Sequence, residues 1–404
     1  LRGGHRLRHA DSDLFAAGVV AANRRQPEKH RVNPDSAIQS NDRPHSQEEK
    51  DRSPPPVDER ALSAQEFSGD RRLRAETDTA KPQGGVSDPS SEAAADSMSA
   101  LTPSAAAKAA SLSRPSSLYR AGWWQIGVKL ARRLPHFFLG RLASNAAKLY
   151  WLTCPSRRRV VVENVLPAVH GDRATASITA RELFQQFALK LADLWRYESG
   201  LSIYNLFHDL TGWEHFQAAQ ARGRGVLLVT IHLGNWEFGA PLLTQRGVKL
   251  QVITGPEPQA QLTEMRQAAR ARWGIETLAL GDNPFAAVEI IRRLEANNSV
   301  ALLMDRPPAA TAARVTLFGK PFDASISAAE LARASGCAVL PVYLPRTSRG
   351  YTAHILPEIP YERPALRERS ARLDLTQRIM TAFEPAIRLY LNQWYHFVPI
   401  WPAA

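Results

Sequence analysis

The stretch that decides the fold is GVLLVTIHLGNWEFGAPLL, residues 225–243. Val226 to Ile231 are all apolar or β-branched, the pattern of a strand buried on both faces. A short polar interruption follows, with His232, Asn235 and Glu237 around Gly234, before apolar character resumes. Two residues five apart on one helix point about 140° from each other, so His232 and Glu237 cannot meet on a continuous helix. A strand ending near Ile231, a turn at Gly234 and a helix starting near Asn235 removes the difficulty. His232 then sits in the turn, and Glu237 in the first helical turn can fold back toward it. Asn235 fits the N-cap position, and a carboxylate suits the positive end of the helix dipole. In open α/β sheets the carboxyl ends of the strands are also where ligands bind.

Outward from this stretch, strand-like and helical patterns alternate. Strand-like runs occupy 226–231, 249–253, 300–304, 338–344 and 351–356; helical patterns occupy 236–245, 259–273, 284–296, 327–335 and 371–391. Before them, 172–199 repeats apolar residues at three- and four-residue steps. The expected fold is α/β, with a mostly parallel central sheet flanked by helices.

The N-terminal part differs. Residues 1–117 are rich in Ser, Pro, Ala and charge, with Phe15 and Phe67 as their only phenylalanines, and read as a disordered low-complexity tail. From Leu118 onward, Trp123, Ile126, Leu130, Leu134, Phe137, Phe138, Leu142 and Leu149 recur at helical spacing among Lys129, Arg132, Arg133 and Arg141. Pro135 is expected to split this segment into two helices. Such basic amphipathic helices suit a membrane interface, and equally the surface of an ordinary core. No run of about 18 uncharged apolar residues occurs, so a spanning helix is not expected.

The chain has 404 residues, 44% of them hydrophobic, and a formal net charge of +12. That balance favours anionic partners without choosing among phosphorylated lipids, acidic proteins and nucleic acid. No helix-turn-helix, zinc or RNA-recognition signature accompanies the charge, which sets nucleic acid aside. Cys154 and Cys337 are the only cysteines and lack metal-type spacing.

A carboxylate bonded to one imidazole nitrogen leaves the other free as a base. No serine or cysteine nucleophile lies beside His232, so the substrate must bring the nucleophile. On spacing alone, a structural histidine with a capping glutamate explains the pair equally well.

The text THLGNWE, matched by Thr230–Glu237 apart from Ile231, resembles the late acyltransferases of lipid A biosynthesis, the lauroyl- and myristoyl-type enzymes within the lysophospholipid acyltransferase superfamily. Five further segments are similar in order and spacing: RRRVVVENVLPAV (157–169), GWEHFQAAQARGRGVLLV (212–229), MRQAARARWGIETL (265–278), the run from LLMDRPP to LPVYLPR (302–346) and NQWYHFVPIW (392–401). The resemblance implies a glycerolipid acyltransferase-like domain over 118–401, with 118–160 as membrane-interface helices.

It also implies transfer of an acyl chain from acyl carrier protein or acyl-CoA to a hydroxyl of a phosphorylated glycolipid such as a lipid A precursor. No metal or redox cofactor is implied. His232 would be the general base, with Glu237 as its partner. Asn235, Arg266, Asp305, Arg306 and Gly319 would line the substrate site, Asn235 as donor or merely as cap. The location implied is the cytoplasmic face of the bacterial inner membrane, peripheral or monotopic, on an anionic lipid surface. A lysophospholipid or another glycolipid as acceptor, or a catalytically inactive membrane-binding protein, are the alternatives.

Overall fold

The computed structural model describes residues 120–255, 257, 259–280 and 285–402. The expected disordered tail, 1–117, lies outside the described residues. Four helices come first: α1 (Ala121–Arg133), α2 (His136–Thr153), α3 (Pro155–Val165) and α4 (Arg173–Glu198). Pro135 separates α1 from α2, as its missing N–H and fixed φ require. The side chain of Asp172 caps α4 by accepting from the N–H groups of Ala174 and Thr175.

The sheet elements follow. They are β1 (Phe207–Thr211), α5 (Trp213–Ala221), β2 (Val226–Thr230), α6 (Gly239–Thr244), β3 (Leu250–Thr254), α7 (Ala260–Ala271), β4 (Glu276–Ala279), α8 (Ala286–Glu295) and β5 (Ser299–Leu303). A hairpin, β6 (Ala312–Leu317) and β7 (Lys320–Ser325), leads to α9 (Ser327–Ser335), β8 (Ala338–Tyr343), β9 (Arg346–Thr347), β10 (Gly350–Ile355) and α10 (Arg369–Leu389).

The strand order is β1-β10-β8-β2-β5-β3-β4, with β9 paired to β10. Pairings within β8-β2-β5-β3-β4 are parallel, and β10 runs antiparallel to β8 and β9. This is the α/β, mostly parallel sheet flanked by helices that the alternation of patterns predicts.

All five residues of β2 are buried, because β2 is a central strand. Successive side chains enter opposite faces. Leu227 and Val229 pack with α3, α4, α9 and α10, whereas Val226 and Leu228 pack with α5, α6 and β3. Each fully buried Val or Leu contributes about 1.5–3 kcal/mol, so this run anchors the sheet and fixes where its polar end emerges.

The five expected strands are all present, and the structure adds β1, β4, β9 and the β6–β7 hairpin. In that hairpin, Phe318 and Gly319 both take positive φ (53° and 72°), the conformation of a two-residue type I′ turn. No helix among the described residues is long and apolar enough to cross a membrane.

Candidate active site

Two chain reversals build the site, and the sheet register aligns them. Thr230 pairs with Leu303 across the parallel β2–β5 ladder. His232 and Asp305 each lie two residues beyond that pair, so both leave the sheet side by side. The turn after β2 is held on two sides. Gly234 has φ 63°, and its N–H donates to the Gln393 carbonyl. The Asn235 N–H donates to the Leu344 carbonyl, and the Tyr395 N–H to the His232 carbonyl.

Asp305 gathers four donors. Its Oδ1 lies 2.6 Å from His232 Nδ1. Its Oδ2 accepts from the His232 backbone N–H (2.9 Å), Trp394 Nε1 (3.0 Å) and His396 Nε2 (2.9 Å). The tautomers follow from the inventory of donors. Arg306 Nε can only donate, and it lies 3.2 Å from His396 Nδ1. His396 Nδ1 is therefore an acceptor, and its Nε2–H faces Asp305.

Asp305 is buried, which alone would raise its pKa, but His232 and His396 hold it well below the usual carboxylate range. An ionised Asp305 needs a donor at Oδ1, so His232 carries its proton on Nδ1 and leaves Nε2 with a lone pair. Burial, reinforced by the Arg306 charge, pushes the His232 imidazole down to about 3 against the opposing pull of Asp305. It is neutral at neutral pH, and its side chain is 14% exposed. The Trp236 ring packs edge-on at 4.8 Å between centroids.

The structure corrects the expected partnership of Glu237 with His232. The Glu237 carboxylate faces α7, where Arg270 grips it with Nε (3.0 Å) and Nη2 (2.8 Å) and Arg266 Nη2 reaches it at 2.7 Å. Two guanidiniums one helical turn apart outcompete an imidazole that Asp305 already holds. Burial would raise the Glu237 pKa, but Arg270 and Arg266 overcome it and keep the group ionised.

Arg266, expected to line the substrate site, is buried among three carboxylates instead: Glu237, Glu257 (3.1 Å) and Glu198 (3.5 Å). Asn235 is wholly buried and makes no side-chain cap bond. Its amide oxygen and nitrogen both lack a hydrogen-bond partner, and a side chain so covered does not reach a ligand in this conformation. The helix it was expected to cap opens instead as a 3-10 turn, Trp236–Phe238. Arg306 is turned onto the carbonyl of Tyr395 and the ring of His396. Gly319 is exposed at the hairpin tip, and its neighbour Phe318 makes the contacts, packing against Trp394 and Trp401.

Three participants escaped the sequence reading. His396 and Trp394 approach Asp305 from the C-terminal aromatic run, residues 392–401. Lys190 is the third. Only 4% exposed, its Nζ lies 3.2 Å from the centroid of the Trp236 ring. Burial and the nearby arginines push its pKa well down, against the pull of Glu237. Its signal was present: Leu183, Phe187, Lys190 and Leu194 follow one apolar helical stripe, in which a lysine is out of place.

A nucleophile-free imidazole held by a carboxylate at the end of a central parallel strand can deprotonate a bound hydroxyl. The relatives fit that chemistry. The phosphatidylinositol mannoside acyltransferase of Mycobacterium tuberculosis strain H37Rv is 26% identical over 296 residues, covering 70% of this chain and 88% of its own. The protein of the same name from Mycolicibacterium smegmatis is 24% identical over 232 residues, covering 57% and 72%. The model of the bacterial lipid A biosynthesis acyltransferases matches residues 112–402. The chain is an acyltransferase, and it belongs to the bacterial lipid A biosynthesis acyltransferase family.

Proposed function

We propose that the protein moves a fatty acyl chain from an acyl thioester, carried by acyl carrier protein or coenzyme A, to a hydroxyl of a phosphorylated glycolipid. The observation that carries this reading is the 2.6 Å contact between His232 Nδ1 and Asp305 Oδ1. His232 Nε2 takes the proton of the acceptor hydroxyl as its oxygen attacks the thioester carbonyl. When the tetrahedral intermediate collapses, the C–S bond breaks and the thiolate takes that proton from the imidazolium. Asp305 stabilises the transient cation and fixes the ring. Glu237 acts through the fold, tying the catalytic turn to α7.

A glycolipid acceptor is supported by relatives named for phosphatidylinositol mannoside and by a family named for lipid A. The apolar residues of α1 and α2 support work at a membrane surface. Trp123, Ile126, Phe137, Phe138, Leu142, Leu149 and Leu152 are exposed, while Trp124, Leu139, Ala143 and Ala147 face the protein. The setting proposed is the cytoplasmic face of a bacterial inner membrane, with peripheral attachment.

The test is purified enzyme with acyl-CoA or acyl-carrier protein and a panel of acceptors, comprising a lipid A precursor, a phosphatidylinositol mannoside and a lysophospholipid. A mass gain of one acyl group on either glycolipid, lost in His232→Ala, supports the reading. Acylation of the lysophospholipid alone contradicts it, as does acylation that persists in His232→Ala.

A further inference from the structure

Between residues 120 and 162 the chain carries nine lysines and arginines and no aspartate or glutamate. Between α2 of this segment and α4 lies a cavity of about 480 Å³, with Arg346 also in its lining. On the α2 wall stand Arg141 and Lys148, two turns apart, with Ser144 between them. The cavity has one carboxylate, Asp193, and its oxygens are engaged. His136 Nε2 lies 2.7 Å from Oδ1, and the Tyr351 hydroxyl donates to Oδ2 at 2.7 Å. Arg346 Nε lies 3.8 Å from Oδ2. Arg141 and Lys148 therefore face a concavity without an opposing free anion. Phe137, 65% exposed, lines the cavity, and further along α2 Leu149 and Leu152 are exposed as well.

Cations over a concavity, rimmed by exposed apolar groups, match a molecule with a phosphate at one end and hydrocarbon at the other. We propose that this cavity seats the phosphate of an anionic membrane phospholipid, with its acyl chains lying along the exposed face of α2. The seat is separate from His232, which does not line it. Its floor is α4, the helix that carries Lys190 beneath Trp236, so a lipid seated there fixes the orientation of the catalytic turn to the bilayer. The proposal rests on the membrane-surface reading above. Charge attraction alone acts on a surface lysine or arginine wherever it stands; a built seat adds dependence on shape.

The experiment measures binding of the full chain to phosphatidylcholine vesicles with and without phosphatidylglycerol, and titrates it with short-chain phosphatidylglycerol and with inorganic phosphate. Arg141→Gln/Lys148→Gln removes the two charges, and Ser144→Trp fills the cavity with charge unchanged. Lys129→Gln/Arg133→Gln removes equal charge from α1, outside the cavity. Thermal unfolding of each variant reports on folding.

The expected result is that both cavity variants bind short-chain phosphatidylglycerol at least about tenfold more weakly, a difference of about 1.4 kcal/mol, while the α1 control binds it as wild type does. Vesicle binding that ignores Ser144→Trp and treats the two charge pairs alike overturns the seat and leaves the membrane reading standing. No binding to anionic vesicles at all overturns both. Inorganic phosphate binding as tightly as the short-chain lipid overturns the lipid as occupant. Absence of acyl transfer by the wild-type protein, with its lipid binding intact, counts against the proposed reaction and not against the seat.

Discussion

Arg270 holds Glu237 through two parallel contacts, Nε to Oε2 at 3.0 Å and Nη2 to Oε1 at 2.8 Å, in a site almost closed to solvent. This places Glu237 in an ion network with Arg266 and Arg270, whereas Asp305 holds His232, Trp394 and His396. Removing its charge takes from buried Arg270 the carboxylate it grips and leaves Arg266 with Glu257 and Glu198. Glu237→Gln is therefore expected to lower stability by about 3–5 kcal/mol, read from urea unfolding. If Glu237 instead polarised His232, the same change would shift the pH–rate profile and leave the unfolding midpoint in place.

Arg306 is, after burial, the foremost influence depressing the His232 pKa. Wild-type kcat/KM is expected to hold steady as pH falls through the ordinary histidine range near 6.5, because the imidazole stays neutral. Arg306→Gln removes a repelling charge, so the imidazole binds its proton more readily and the acidic limb moves to higher pH. An acidic limb unmoved in this variant contradicts the assignment.

The turn itself tolerates little. A Cβ on Gly234 would stand 1.9 Å from the carbonyl oxygen of Leu344, and its φ of 63° disfavours any other L-residue. Gly234→Ala is expected to cost at least about 1–3 kcal/mol and to abolish most activity, because the backbone that aims His232 must shift. Thermal unfolding and turnover, measured on the same preparation, check both.

Stability also depends on pH through the buried imidazoles. The pKa values of His232 and His396 are both lowered in the folded state, in each case by burial first and then by Arg306. Below about 6.5 the unfolded chain binds protons that the folded chain refuses, so folded stability falls as pH falls. By about pH 5 His232 accounts for up to about 2 kcal/mol, and His396 acts in the same direction. Asp305 and Glu237, with lowered pKa values, keep their contribution until pH drops below the ordinary carboxylate range. Denaturant midpoints between neutral and mildly acidic pH should fall in wild type and fall less in His396→Gln.

The local patterns were legible because they depend on neighbours in sequence. The run Val226–Ile231 announces a central strand, and Pro135 announces the break between α1 and α2. The partner of His232 was not legible, because it depends on which strand lies beside β2. Asp305 follows an apolar run that reads as a strand end, yet nothing in the sequence says that this strand pairs with β2 in the register Thr230–Leu303. Glu237, five residues from the histidine, was the nearer carboxylate by count and the wrong one by geometry. Its own partners lie 29 and 33 residues away. The β6–β7 hairpin was not legible, since the residues of its strands mix charged and small side chains. His396 and Trp394 came with the aromatic closing run, whose placement over the catalytic turn is set by backbone bonds from Gln393 and Tyr395.

The most direct measurement is single-turnover acyl transfer by Asp305→Asn alongside Glu237→Gln, each normalised to folded protein. An aspartate that fixes and charges the imidazole predicts a fall in rate of about 10²–10⁴-fold for Asp305→Asn with substrate binding retained. Glu237→Gln molecules that remain folded should turn over far faster than Asp305→Asn. An Asp305→Asn enzyme within a few-fold of wild type, with Glu237→Gln inactive though folded, would contradict the pairing of His232 with Asp305 as the working base.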